Sequence, residues 1–285
     1  MVAYRALVPV FRACLALVLA GCAAARAQAP DPTACPPRAD WPEGTACVEG
    51  GTFTVGAADG REDEQPPGEV TIGAFYMDLH EVTNEEYRAC MEAGACPRHA
   101  RYVRFLGARQ PVVGVTWLGA RAYCEHVGAR LPTDAEFERA ARGTEETVYP
   151  WGDDADDPCA HAVVRTHAGE GCGTGITAEV GSRPPGHFGL YDIAGNVHEW
   201  VADRWAPCLR GCRRECGDAC YGVDPRGPCG DADACPGFPL RSIRGGSWYW
   251  PLERARGSAR RGAHPENERG HRFGFRCARN IRTNG

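Results

Sequence analysis

Lysine is absent from this chain: all 32 basic residues are arginine. A lysine Schiff base and a lysine general base are therefore excluded. The nine histidines are scattered, with no His-x-x-x-His or His-Glu-x-x-His spacing. Each reads as a surface or packed residue rather than a zinc ligand. No Gly-x-Ser-x-Gly elbow or phosphate loop occurs, which removes the usual serine-hydrolase and nucleotide-binding arrangements. Positive charge is not in excess either: 32 arginines against 37 acids give a formal charge of −5. That is not the balance of a nucleic-acid binder. Beyond the N-terminal segment, no apolar run is long enough to span a bilayer.

What is present begins with an export signal. Arg5 and Arg12 precede an apolar run from Ala13 to Ala20, which ends in Leu19-Ala20-Gly21-Cys22. The ending resembles a bacterial lipobox, in which a peptidase cuts before Cys22 and the thiol receives lipid. The alternatives are an ordinary secretory signal cut near Ala27 and an uncleaved anchor. The first reading predicts a signal over 1–21, a tether over 22–46 and a folded domain over 47–282, held at the bacterial envelope on a membrane. Loss of residues 1–21 leaves 30 arginines against 37 acids, a charge of −7.

There are 16 cysteines. Cys14 would leave with the signal and Cys22 would be lipidated. The remaining 14, an even number in an exported chain, predict up to seven disulfides. Cys35 and Cys47 are placed to close the tether, and Cys90 and Cys96 flank the end of a helix. Residues 206–240 hold Cys208, Cys212, Cys216, Cys220, Cys229 and Cys235 among Gly, Asp, Arg and Pro. So little apolar surface cannot order such a segment without cross-links, which predicts a disulfide-stapled surface insertion. A zinc site is the alternative, although structural zinc sites more often use shorter gaps between paired ligands.

Helix starts are well marked. Thr83-Asn84-Glu85-Glu86 and Thr133-Asp134-Ala135-Glu136 are capping boxes. They predict helices running to about Glu92 and to Gly143, with a third from Thr116 to Gly128. Strands are predicted at 51–55, 70–78, 197–202, 242–246 and 273–278. With 36 Gly and 22 Pro, much of the chain must be turns.

Several motifs fall in a particular order: Gly50-Gly51-Thr52-Phe53-Thr54-Val55-Gly56, Glu81-Val82-Thr83-Asn84-Glu85-Glu86-Tyr87, and Arg130-Leu131-Pro132-Thr133-Asp134-Ala135-Glu136. Gly189-Leu190-Tyr191-Asp192-Ile193-Ala194-Gly195-Asn196-Val197-His198-Glu199-Trp200 follows. Arg244-Gly245-Gly246-Ser247-Trp248-Tyr249-Trp250 and Phe273-Gly274-Phe275-Arg276-Cys277-Ala278-Arg279 complete the series. In this order they resemble the formylglycine-generating enzymes, or sulfatase-modifying factors, over about residues 47–280 outside the insertion. The resemblance implies a single compact α+β domain related to C-type lectins, with low regular secondary structure and many disulfides.

That family oxidises a cysteine of a protein substrate to formylglycine with oxygen and copper(I), held by two cysteines. Soft thiolates prefer cuprous copper. The matching positions here are Trp250 and Ala255, neither of which can hold it, so no catalytic residue and no copper are expected. Ser247, part of the family's site, remains. The resemblance also implies a Cys124–Cys277 disulfide; a second family disulfide would match Ala141 and Arg260 and is absent. It further implies calcium at Asp192 and Glu199 through carboxylates and at Gly195 and Val197 through backbone oxygens. A turn held by ordinary hydrogen bonds is the alternative. A further calcium site would fall in 160–173, where His161 and Gly171 replace expected ligands.

Residues 241–285 carry 11 arginines against Glu253, Glu266 and Glu268, a formal +8. Two readings stand: these arginines pair with acids elsewhere in the fold, or they line a groove for an anionic partner. The expected function is a non-catalytic binding module. Ser247, Trp248, Tyr249, Trp250, Arg254, Arg256 and Arg260 would form its groove for a peptide, an anionic glycan or an envelope protein. The aromatic residues would supply stacking surface. The alternatives are an oxidoreductase that modifies a protein cysteine through rearranged ligands and a purely structural envelope protein.

Overall fold

The computed structural model describes residues 31–209, 220, 222–230, 232, 235–266 and 270–281. The signal, Cys14, Cys22, Cys212 and Cys216 lie outside the described residues. Among the described residues the strands form three sheets. Strand β1 (Thr45–Val48) pairs with β4 (Phe75–Asp78), and β4 with β10 (Ala278–Asn280). Strand β2 (Gly51–Val55) pairs with β3 (Gly68–Ile72), and β3 with β6 (Gly222–Val223). A third sheet runs β8 (Arg260–Ala263), β7 (Arg241–Arg244), β5 (His198–Arg204) and β9 (Phe273–Gly274). The result is the expected α+β domain with little regular structure and many disulfides.

The helices begin where the capping boxes place them. Helix α1 is Asn84–Glu92, α2 is Trp117–His126 and α3 is Asp134–Arg142. At α3, the Glu136 amide donates to Thr133 Oγ1 at 3.1 Å and the Thr133 amide donates to Glu136 Oε2 at 2.7 Å. Two backbone donors that the helix itself cannot satisfy are thereby paired. Gly143 ends α3 at φ +67°, and a β-carbon there would meet the His187 ring at 2.5 Å. Position and conformation both require glycine.

Two predicted strands are each split. The stretch 70–78 divides at Gly73-Ala74 into β3 and β4, which belong to different sheets. The Gly73 amide turns out to Asp224 Oδ1 and the Ala74 amide to Pro32 O. The stretch 273–278 likewise divides into β9 and β10. Alternation of side chains marks extended backbone but not the partner that receives its hydrogen bonds.

The tether boundary also moves. Residues 31–46 are not a free linker. The Gly50 amide bonds Thr33 O, Cys35 is bridged to Cys47, and β1 already starts at Thr45 inside a sheet. The expected Cys90–Cys96 and Cys124–Cys277 bridges are present, together with Cys159–Cys172 and Cys229–Cys235. Cys208 and Cys220 are disulfide-bonded too. The described insertion cysteines are thus oxidised, which overturns the zinc alternative for them.

Acid pairs are buried where α3 meets the third sheet. Asp134 forms ion pairs with both Arg244 (2.8 Å) and Arg260 (2.7 Å), and Glu138 with Arg244 (2.6 Å) and Arg142 (2.9 Å). Asp203, at the end of β5, accepts from the Asp134 amide at 2.8 Å. Burial, and next the Asp134 charge, push the Asp203 carboxyl up from 3.8 to about 7. A raised acid binds its proton more tightly in the folded state. Its contribution is therefore complete below about pH 4 and is lost as pH rises towards 7. Asp203→Asn keeps an acceptor for the Asp134 amide. It is expected to flatten the pH dependence of urea stability between about pH 4 and 7, and to raise stability at pH 8. An unchanged pH profile would show that Asp203 ionises at an ordinary pH.

Candidate functional site

The Gly245-Gly246-Ser247 turn follows β7 and carries the chain out of the third sheet. Gly245 and Gly246 have φ of +80° and +73°, and a β-carbon on Gly246 would lie 2.8 Å from the Ala255 side chain. The turn therefore packs directly against position 255, across a short 3-10 segment, Leu252–Arg254. Ala255 is buried in an apolar cluster with Ala162, Val164 and Ala194. Trp250 is half-buried and shares a small cavity with His198, Arg254 and Arg261. The two positions matched to copper cysteines thus hold a methyl group in an apolar cluster and an indole beside guanidiniums.

Not all the predicted groove residues lie open. Ser247 is fully buried, with its hydroxyl unpartnered. Trp248 is core, with its ring 5.4 Å from Phe105 and 5.6 Å from His271, and its indole N–H donating to His271 O. Arg260 is buried in the Asp134 ion pair, and Arg256 pairs with the exposed Asp59. These four residues offer no free ligand surface, because their polar or aromatic groups are buried or already paired. Tyr249, Trp250 and Arg254 remain at the surface of the site.

The 11 arginines of 241–285 sort into three groups. Arg241, Arg244, Arg256, Arg260, Arg276 and Arg279 are engaged within the fold. Arg269 and Arg282 lie outside the described residues. Arg254, Arg261 and Arg272 gather around the aromatic pair, with guanidinium carbons 5.6, 5.3 and 5.9 Å from the Trp250 ring. Arg272 also lies 4.6 Å from the Tyr249 ring. The aromatic rings therefore hold cations and do not form an open stacking platform. Sequence reasoning missed Arg261 and Arg272; the only available signal was the arginine-rich run, which does not distinguish paired from unpaired members.

His198 forms the floor of the cavity and is buried. Its Nδ1 lies 3.3 Å from Arg244 O, an acceptor only, so that nitrogen carries the proton. The lone pair of Nε2 is left without a partner. Burial pushes the imidazole down to about 3, and the neutral form prevails at ordinary pH.

The turn before β5 and the start of that strand hold the residues matched to calcium. Asp192 Oδ2 accepts from the Gly181 amide at 2.6 Å. Glu199 is fully buried and receives Arg276 Nε at 2.8 Å and Arg276 Nη2 at 2.8 Å. Glu81, which the sequence reading missed, accepts from Asn196 Nδ2 at 2.6 Å and from the Val197 amide at 3.0 Å. Burial raises all three carboxyls, and the charges of Asp192 and Glu199 raise Glu81 further. Arg276 pairs directly with Glu199 alone, and its charge also acts on Glu81 and Asp192, the latter with Arg183. Among the described residues no three side chains of metal-binding type converge. A cation here would rely on the Gly195 and Val197 carbonyls.

A family model for the sulfatase-modifying factor enzyme 1-like domain matches residues 32–281. The chain belongs to this sulfatase-modifying factor family. It is similar to a formylglycine-generating enzyme of Thermomonospora curvata, 30% identical over 296 residues, covering 83% of this chain and 93% of that one. It is also similar to the serine/threonine-protein kinase pkn1 of Chlamydia pneumoniae, 34% identical over 262 residues and 82% of this chain. The match covers only 37% of that kinase. Among solved structures, PvdO from Pseudomonas aeruginosa superposes with a TM-score of 0.67 at 28% identity, over 83% of this chain and 94% of that one. The family's fold is therefore the fold of this chain.

Proposed function

We propose that this family member is a non-catalytic binding module that takes an anionic part of a peptide, glycan or envelope protein at Tyr249, Trp250 and the surrounding arginines. One observation carries the reading: the two positions that would supply thiolates are Trp250 and Ala255, and the indole lies beside guanidiniums. A cuprous ion there would face positive charge and carbon instead of soft sulfur donors. The lipobox-like ending at Cys22 supports an envelope-anchored, exported protein. The kinase name of pkn1 is not carried over, since this chain spans under two-fifths of that protein.

We also propose that calcium binds at Asp192, Gly195, Val197 and Glu199, where it would offset the surplus of buried acid and brace the turn before β5. One preparation tests both proposals. After loading with cuprous copper and desalting, the protein should retain far less than one equivalent and leave a cysteine-containing peptide intact by mass spectrometry. One equivalent of copper with loss of the thiol would overturn the module reading. Addition of calcium to EDTA-treated protein should raise Tm by a few degrees; no response would remove the calcium proposal.

A further inference from the structure

The binding site sorts its unmet hydrogen-bonding capacity in an informative way. Arg254, Arg261 and Arg272 make no ion pair or side-chain hydrogen bond among the described residues. Their nearby acids are committed elsewhere. Asp63 pairs with Arg61, and Glu64 accepts from Ser258 Oγ and the Arg61 amide. Glu253, also nearby, is solvent-exposed. Trp250 Nε1 and Arg272 Nε are buried donors without acceptors. Burial, then the positive charge of neighbouring arginines, lowers Arg261, and the Asp63 charge opposes this only in part. Arg254 is lowered by burial and by Arg61. At the cavity floor His198 Nε2 is a buried acceptor without a donor, and Ser247 Oγ and Asp63 Oδ1 are likewise without a hydrogen bond.

Building on the module reading above, we infer that the ligand group is a tetrahedral oxyanion, a sulfate or phosphate ester, held by Arg254, Arg261 and Arg272. Packing of a guanidinium beside an aromatic ring leaves N–H edges free to donate. A single carboxylate has two oxygens and is matched by one bidentate arginine. A sulfate or phosphate monoester presents three free oxygens, and the phosphate more charge as well, which suits three guanidiniums grouped around one indole and the unpaired indole N–H. The lone pair of His198 Nε2 adds a preference for a hydroxyl beside the ester.

The test is calorimetric titration of the full chain with inorganic sulfate, inorganic phosphate and acetate at fixed ionic strength. Heat of binding is read because sulfate raises Tm non-specifically. Sulfate or phosphate should bind saturably and acetate at least tenfold more weakly. Arg261→Gln and Arg272→Gln should each weaken binding about tenfold, the scale of one charged hydrogen bond. Arg261→Lys should lose less, and Arg88→Gln, at an exposed site, nothing. Circular dichroism and Tm establish that each variant is folded. Sulfated, phosphorylated and carboxylated oligosaccharides of one length, and an acidic peptide, then identify the source. Acetate or the acidic peptide binding as well as sulfate would overturn the inference, as would binding unaffected by both glutamine variants. Saturable binding of a glycan or peptide elsewhere on the chain would sink this site yet leave a binding module standing. Copper-dependent thiol oxidation would do the reverse.

Discussion

Arg276→Met is expected to destabilise the protein by about 3–5 kcal/mol at pH 8, the scale for removing one partner of a buried ion pair. Arg276 is fully buried. Its guanidinium meets both oxygens of Glu199, and it also donates to the Tyr191 carbonyl at 2.9 Å. Methionine fills the volume but leaves Glu199 uncompensated beside Glu81 and Asp192. Those acids would then retain protons to higher pH in the folded state. A raised acid stabilises fully below its unfolded value near 4.5 and loses that contribution as pH rises, so the defect should be smaller at pH 5 than at pH 8. Urea denaturation at the two pH values measures this. Addition of Glu199→Gln to Arg276→Met should recover part of the loss, because the unpaired charge goes with it. A loss below about 1 kcal/mol at both pH values would show that Arg276 is not what neutralises this cluster.

Removal of the Cys124–Cys277 bridge, with alanine at both positions, should cost about 5 kcal/mol by loop-closure entropy. The two cysteines are 153 positions apart and both fully buried. The bridge ties α2 to the segment entering β10, so the ends of most of the folded chain are held together. Removal of Cys90–Cys96, whose separation is 6, should cost only about 2 kcal/mol on the same reasoning. Denaturant titration of both variants separates the causes. Equal losses from the long and short loops would rule out chain entropy and point to lost packing instead.

The helices were legible because their signals are local. Thr83 with Glu86, and Thr133 with Glu136, bond across three positions, and the structure reproduces both boxes. Strand limits were less legible. Positions 70–78 look continuous in sequence, yet Gly73 and Ala74 send their amides to Asp224 and Pro32, which local alternation does not reveal. The site lay between these cases. Trp250 and Ala255 were visible as departures from a thiolate pair. Trp248 and Arg260, read as groove residues, proved to be core and buried ion pair. Glu81, His198, Arg261 and Arg272 carried no distinguishing local pattern.

By itself the sequence determined the family, the helix starts and the residues that stand at positions 250 and 255. Each is a matter of residue identity at a position or of bonds between near neighbours. Only the tertiary structure decided which arginines are spent and which are free. Glu199 is 77 positions from Arg276, and Asp78 is 201 from Arg279. Pairing over such distances is set by sheets and helices packing together, so which positive charges stay without an acid partner emerges only when the chain has folded.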